Sequence, residues 1–176
     1  MKSPRTPDNE EPAAERACDF RPVDKGFTEE MALAEAERCL NCKKPFCVEG
    51  CPVNINIPRF IEQIRAKDFG GALDTIREDS MLPAICGRVC PQENQCEGKC
   101  IRGIKGEPIS IGKLERFVAD WSRENGFVPK AAETKLGKKV AVIGAGPAGI
   151  TIAILLAKKG YGVTIFDSRD KIGGVL

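Results

Sequence analysis

Nine cysteines and no histidine constrain this 176-residue chain more than any other feature. Without imidazole there is no histidine acid–base chemistry, no Ser–His–Asp triad and no mixed Cys/His zinc finger. Eight of the cysteines fall in two blocks, Cys39–Cys51 and Cys86–Cys100, with Cys18 outside both. The opening segment, MKSPRTPDNEEPAAER, lacks the apolar core that a signal peptide needs. The expectation is a reducing, cytoplasmic setting, where thiols bind metal or do redox work instead of forming disulfides.

The first block reads Cys39-x2-Cys42-x4-Cys47-x3-Cys51-Pro52, and the second Cys90-Pro91-x4-Cys96-x3-Cys100, preceded by Cys86. Three close thiols can reach three corners of an iron–sulfur cubane from one folded loop. A fourth, followed by proline, points away, and two-cluster ferredoxins use it for the other cluster. Crossing the blocks on this logic groups Cys39, Cys42, Cys47 and Cys100 at one [4Fe-4S] cluster. Cys51, Cys90 and Cys96 then hold a second, which needs a fourth ligand. Zinc fits less well, because only one C-x2-C knuckle is present. For the missing ligand the chain offers Cys86, one helical turn before Cys90, and Glu115, on the following helix; spacing alone favours Cys86. Cys18 reads as a free thiol. Lys43, Lys44, Arg88, Lys99 and Arg102 flank the cysteines, either to offset cluster charge or as ordinary solvated surface.

Helical spacing covers much of the first part. Thr28–Cys39 opens with a capping threonine and acidic residues in its first turn. Pro58–Lys67 and Gly70–Glu78 carry apolar residues at helical intervals. A further helix from Ser110 to about Asn125 puts Leu114, Phe117, Val118 and Trp121 on one face before Gly126 stops it. The period then changes: Lys139–Ile143 is an apolar strand, Pro147–Lys159 a helix and Gly162–Phe166 a second strand, together a β–α–β unit. This predicts a polar tail over residues 1–19 and a mostly α iron–sulfur domain over 20–126. A linker over 127–138 and the start of an α/β Rossmann-like domain over 139–176 follow. Two strands cannot close a doubly wound sheet, so the expectation is a piece of a longer protein. No apolar run reaches the ~20 residues of a membrane span, and a net charge of +2 offers no basic surface for nucleic acid.

Between strand and helix stands VAVIGAGPAG, a fingerprint with Gly144, Gly146 and Gly149. Its glycines permit a tight turn and close backbone approach, and Pro147 and Ala148 open a helix whose N-terminus faces a pyrophosphate. Asp167, at the end of the next strand and about 20 residues on, suits a ribose hydroxyl. The pattern predicts a dinucleotide without choosing between FAD and NAD.

The runs RCLNCKKPFCVEGCPVNINIP, AICGRVCPQENQCEGKC and PISIGKLERF, with the glycine loop, resemble the glutamate synthase small (beta) subunit family over about residues 20–176. The ferredoxin:NADP oxidoreductase large subunit, sulfide dehydrogenase and dihydropyrimidine dehydrogenase share this N-terminal two-cluster domain, an alpha-helical ferredoxin-like fold. The resemblance implies the same cluster partition, with Glu115 instead of Cys86 as fourth ligand of the second cluster. It implies FAD on the glycine loop, with Gly173 and Gly174 continuing the site, and NADPH on a domain outside this chain. The implied function moves electrons between NAD(P)H, FAD and two clusters, with no catalytic residue in the chain itself. The implied partner is a larger catalytic or ferredoxin-linked subunit, or a second copy. The rival reading is a non-catalytic module that wires or docks subunits.

Overall fold

The computed structural model describes residues 4–127 and 132–176, which separate into two compact units, Met1–Phe127 and Val128–Leu176. The linker expected over 127–138 includes residues 128–131, which lie outside the described residues.

Helices in the first unit start where side chains satisfy their free amides. After α1 (Ala13–Arg16), Thr28 caps α2 (Glu29–Glu37), its Oγ1 accepting from the Met31 amide at 3.3 Å. A short α3 (Phe46–Glu49) lies inside the first cysteine block. Asn56 caps α4 (Ile57–Arg65), which carries Pro58 in its first turn, where the missing amide costs no hydrogen bond. Asp68 caps α5 (Phe69–Ile76) through the Gly71 amide at 2.9 Å. Helix α6 (Pro83–Val89) leads into the second block, and α7 (Ile111–Glu124) follows it.

Apolar periodicity decides the packing. Helix α4 buries Ile57, Phe60, Ile61 and Ile64; α5 buries Leu73 and Ile76; α7 buries Leu114 and Val118. Helix α5 packs on α4 and α7, and α2 packs on the same two. Each such side chain contributes about 1.5–3 kcal/mol by leaving water. Phe69 meets the Phe117 ring edge-on at 5.1 Å and Trp121 at 5.4 Å.

Residues expected as a free polar tail make specific contacts where they are described. The Thr6 amide donates to Glu35 Oε2 at 2.8 Å, Arg5 Nε to Ser110 Oγ at 2.5 Å, and Glu10 bridges antiparallel to Asp24. Sequence patterning misses this strap because its partners lie up to 105 residues away.

The second unit contains β1 (Lys139–Ile143), α8 (Pro147–Lys158) and β2 (Gly162–Phe166). The strands are parallel, with register from Lys139↔Gly162 to Ile143↔Phe166. Among the described residues no helix is long and apolar enough to cross a membrane.

Candidate iron–sulfur centres and glycine loop

Cys39 follows α2, Cys42 lies in the next loop, Cys47 is in α3, and Cys100 precedes a 3-10 turn at Ile101–Ile104. These four line one cavity with Ile57, Ile61 and Ile109. Burial pushes the Cys47 thiol up to about 12, and the charges of Cys100, Cys39 and Cys42 add to it. Cys39 is raised first by burial, against an amide hydrogen bond from Asn41. Asn41 reaches that position with φ of 45°, a left-handed conformation asparagine tolerates. Among the described residues no three cysteine or acidic side chains converge on one point to hold a lone metal ion.

The second set assembles from four parts of the chain. Cys51 follows the end of α3, Cys90 ends α6, Cys96 is buried within the second block, and Glu115 lies on α7. Cys96 is pushed up to about 12, first by burial, then by Glu97 and Cys51, with Glu115 adding to it. Burial raises Cys90 to about 11, with Cys86, Glu115 and Cys51 acting in the same direction. Helices α6 and α7 meet closely: a Cβ on Gly87 would stand 2.6 Å from the Arg116 amide nitrogen. Only glycine permits this approach, which carries Cys86 and Cys90 up to Glu115.

Glu115 is the exceptional group. It is 7% exposed, its Oε1 has no hydrogen-bond partner, and burial alone pushes its carboxyl up to about 8. The neighbouring cation is committed elsewhere, since Arg116 Nη2 donates to the Asp24 carbonyl at 2.7 Å. Buried oxygens without partners cost about 1–3 kcal/mol. Burial raises Cys90, Cys96 and Glu115 together, and clustered thiols beside a carboxylate are donors that suit a cationic iron centre. The donor set fits iron.

Two further buried carboxylates, which sequence spacing gives no means of finding, brace the sets. Glu35 is fully buried; burial would raise its carboxyl, but the Ser110 and Thr6 amides and Arg38 hold it below its ordinary value. Its Oε1 accepts from Arg38 at 2.5 Å and from the Ser110 amide at 2.8 Å. Glu97 accepts from the Gly112 amide at 3.1 Å and from Arg5 at 2.7 Å. Together they hold residues 107–112, the segment that joins Cys100 to Glu115. Of the flanking cations, Arg102 lines the first cavity, while Arg88 is bound to Asp120 at 2.7 Å. Cys18 is exposed and outside both sets.

In the second unit the fingerprint turns at the carboxyl ends of the strands. The Gly144 amide donates to the Phe166 carbonyl at 2.7 Å. A Cβ on Gly149 would stand 1.8 Å from the Gly144 oxygen, so helix and loop touch there, whereas one on Gly146 would meet nothing within 4 Å. Packing therefore gives no reason for Gly146; close approach of a pyrophosphate to its backbone would. No side chain caps the first turn of α8, at Pro147 and Ala148, which leaves its amides open to an anion. Asp167 Oδ2 accepts from the Ala145 amide at 2.6 Å and Oδ1 from Arg169 at 2.8 Å, so the loop itself shares the carboxylate expected for a ribose. Gly173 donates to the Ala145 carbonyl at 2.8 Å, and Gly174 lies against Gly146.

Known proteins share both halves. Residues 142–176 match the NAD(P)-binding Rossmann-like domain. The chain is 43% identical over 150 residues to the NAD-dependent dihydropyrimidine dehydrogenase subunit PreT of Escherichia coli K12, covering 85% of this chain and 36% of that protein. It is 39% identical over 175 residues to the glutamate synthase [NADPH] small chain of Azospirillum brasilense, covering 98% and 36%. The corresponding E. coli K12 small chain is 38% identical over 162 residues, covering 92% and 34%. The chain thus spans about a third of the length of these relatives. Residues 16–127, more than half of the chain, match the family described as dihydropyrimidine dehydrogenase domain II, 4Fe-4S cluster, and the chain belongs to that family.

Proposed function

We propose that this chain is the electron-transfer portion of an NAD(P)H-dependent oxidoreductase, holding two [4Fe-4S] clusters and the opening of an FAD site. The observation that carries it is Glu115, a buried carboxylate oxygen without a partner, close to Cys90 and Cys96. Cys39, Cys42, Cys47 and Cys100 would hold the first cluster, and Cys51, Cys90, Cys96 and Glu115 the second. When bound, the flavin and clusters supply the conversion of a two-electron hydride into single electrons. The chain's own residues bind and shield. Ile57, Ile61 and Ile109 keep water from the first site, and the Glu35 and Glu97 braces fix the segment between the two. The open face of Gly146, the free first turn of α8 and Asp167 suit the pyrophosphate and ribose of FAD, with Gly173 and Gly174 beside them.

Similarity to the Azospirillum glutamate synthase small chain across 98% of this chain supports a place in a glutamate synthase or a close relative. There the clusters would pass electrons from NADPH, bound on a further domain, to a larger partner subunit in the cytoplasm. The test is anaerobic purification of the full-length protein with iron, sulfide and flavin analysis. About eight irons and one FAD per chain are expected. Zinc, or about four irons, would overturn the two-cluster assignment.

A further inference from the structure

Arg5, on the N-terminal strap, ties together two segments that each bear a proposed ligand of the second cluster. Its guanidinium forks: Nη2 donates to Glu97 Oε2 at 2.7 Å and Nε to Ser110 Oγ at 2.5 Å. Both acceptors are buried. Glu97 directly follows Cys96, and Ser110 is the N-cap of α7, the helix that carries Glu115 one turn on. A serine there ordinarily caps its own helix, yet Ser110 makes no side-chain cap bond. Glu97 caps the helix in its place, its Oε1 accepting from the Gly112 amide at 3.1 Å. The strap backbone is fixed where it delivers the guanidinium. The Arg5 amide donates to Glu107 Oε2 at 2.7 Å, and the Thr6 amide to Glu35 Oε2 at 2.8 Å.

We infer that Arg5 is a positioning residue for the second cluster, clamping the Cys96 segment to the start of α7 so that Cys96 and Glu115 are held for the same iron–sulfur group. It acts through Glu97 and Ser110, not on iron, and the inference rests on the two-cluster reading with Glu115 bound to iron. Cys96 lies outside every helix and strand, so its place against α7 depends on side-chain ties of this kind. Two bonds from one planar guanidinium restrain direction as well as distance, which the single ammonium of a lysine does not. Iron in such clusters favours soft thiolates. The lone carboxylate is therefore the ligand that lets go first when the two segments drift apart. Partners that orient metal ligands typically change metal affinity by about 10–100-fold. Arg5 works at one remove from the ligands, so the lower end of that range applies to it.

The test uses the full-length, iron-loaded protein with Arg5→Ala, Arg5→Lys and Ser110→Ala, following iron content and EPR during mild oxidation. In Arg5→Ala the second cluster should pass to a three-iron form about tenfold faster than in the parent, with the first cluster and the far-UV helical signal unchanged. Arg5→Lys keeps the charge but not the fork and should stay impaired. Ser110→Ala removes one of the two acceptors and should fall between the parent and Arg5→Ala. Iron loss at the parent rate in Arg5→Ala would reduce Arg5 to an anchor of the strap, overturning the proposal and leaving the two-cluster reading standing. Iron loss at the parent rate in Arg5→Lys would show that charge alone suffices, and would equally overturn the clamp. If Arg5→Ala does not keep its helical signal, Ser110→Ala decides, and a parent rate there overturns the proposal. About four irons in the parent protein would instead overturn the two-cluster reading itself.

Discussion

Glu115 brings a carboxylate to a place where the polypeptide gives it little. Its Oε1 is buried without a partner, and burial raises its carboxyl to about 8. A chain shaped for stability alone would place an apolar side chain there. Glu115→Met should therefore stabilise the iron-free protein by about 1–3 kcal/mol, the usual cost of an unsatisfied buried polar group, as read from denaturant unfolding. The same change should damage the loaded protein, leaving the second cluster with three cysteine ligands. EPR after mild oxidation should then show a three-iron signal. A variant that loses stability when iron-free and loads iron normally would remove Glu115 from the ligand set.

At the scale of elements, the second site depends on how closely two helices approach. The Cβ of a Gly87→Ala variant would clash with the backbone of Arg116, which cannot rotate away as a side chain could. Helices α6 and α7 would have to part, carrying Cys90 away from Glu115. We expect a destabilisation of about 1–3 kcal/mol and a fall from about eight irons to about four, with the first site intact because none of its cysteines lies on α6 or α7. Unchanged iron would mean that this contact does not set the ligand geometry. The elements legible in the sequence were those with local causes. The caps at Thr28 and Gly126, the apolar faces of α4, α5 and α7, and the β–α–β period all appear within a dozen residues of themselves. Helices α3 and α6 were not readable as helices, since four and seven residues are too few turns to display a 3.6-residue period. The cysteine grouping was legible because spacing restricts it. Glu35 and Glu97 were not, because the backbone donors that justify burying a carboxylate, at Ser110 and Gly112, are 75 and 15 residues away.

Across the first unit, the proposed iron ligands other than Glu115 lie on segments of chain separate from the core helices, though they pack against them. Among the described residues the largest fully buried side chains are Phe60, Ile57, Ile61, Ile64, Leu73, Ile76, Ile109 and Leu114, with no cysteine at that level. They belong mainly to α4, α5 and α7, which hold one another by apolar contact. The cysteines assigned to iron instead sit on loops, turns and the four-residue α3, in residues 39–54 and 90–106, where regular backbone hydrogen bonding is sparse. In the second unit, the two-stranded sheet leaves Ile143 82% and Phe166 53% exposed, so it has little apolar burial of its own. Stability in such a molecule is regional. Metal binding free energy should be folding free energy only for the segments that the metal ties together. Removing iron with a chelator should thus leave most of the far-UV helical signal. Amide exchange should stay slow in α4, α5 and α7 but become fast across residues 39–54 and 90–106. Exchange in β1, α8 and β2 should not change, because no proposed iron ligand lies there. Uniform loss of protection through α4, α5 and α7 would show instead that the clusters are the foundation on which the helical core forms, and that apolar burial alone does not hold it.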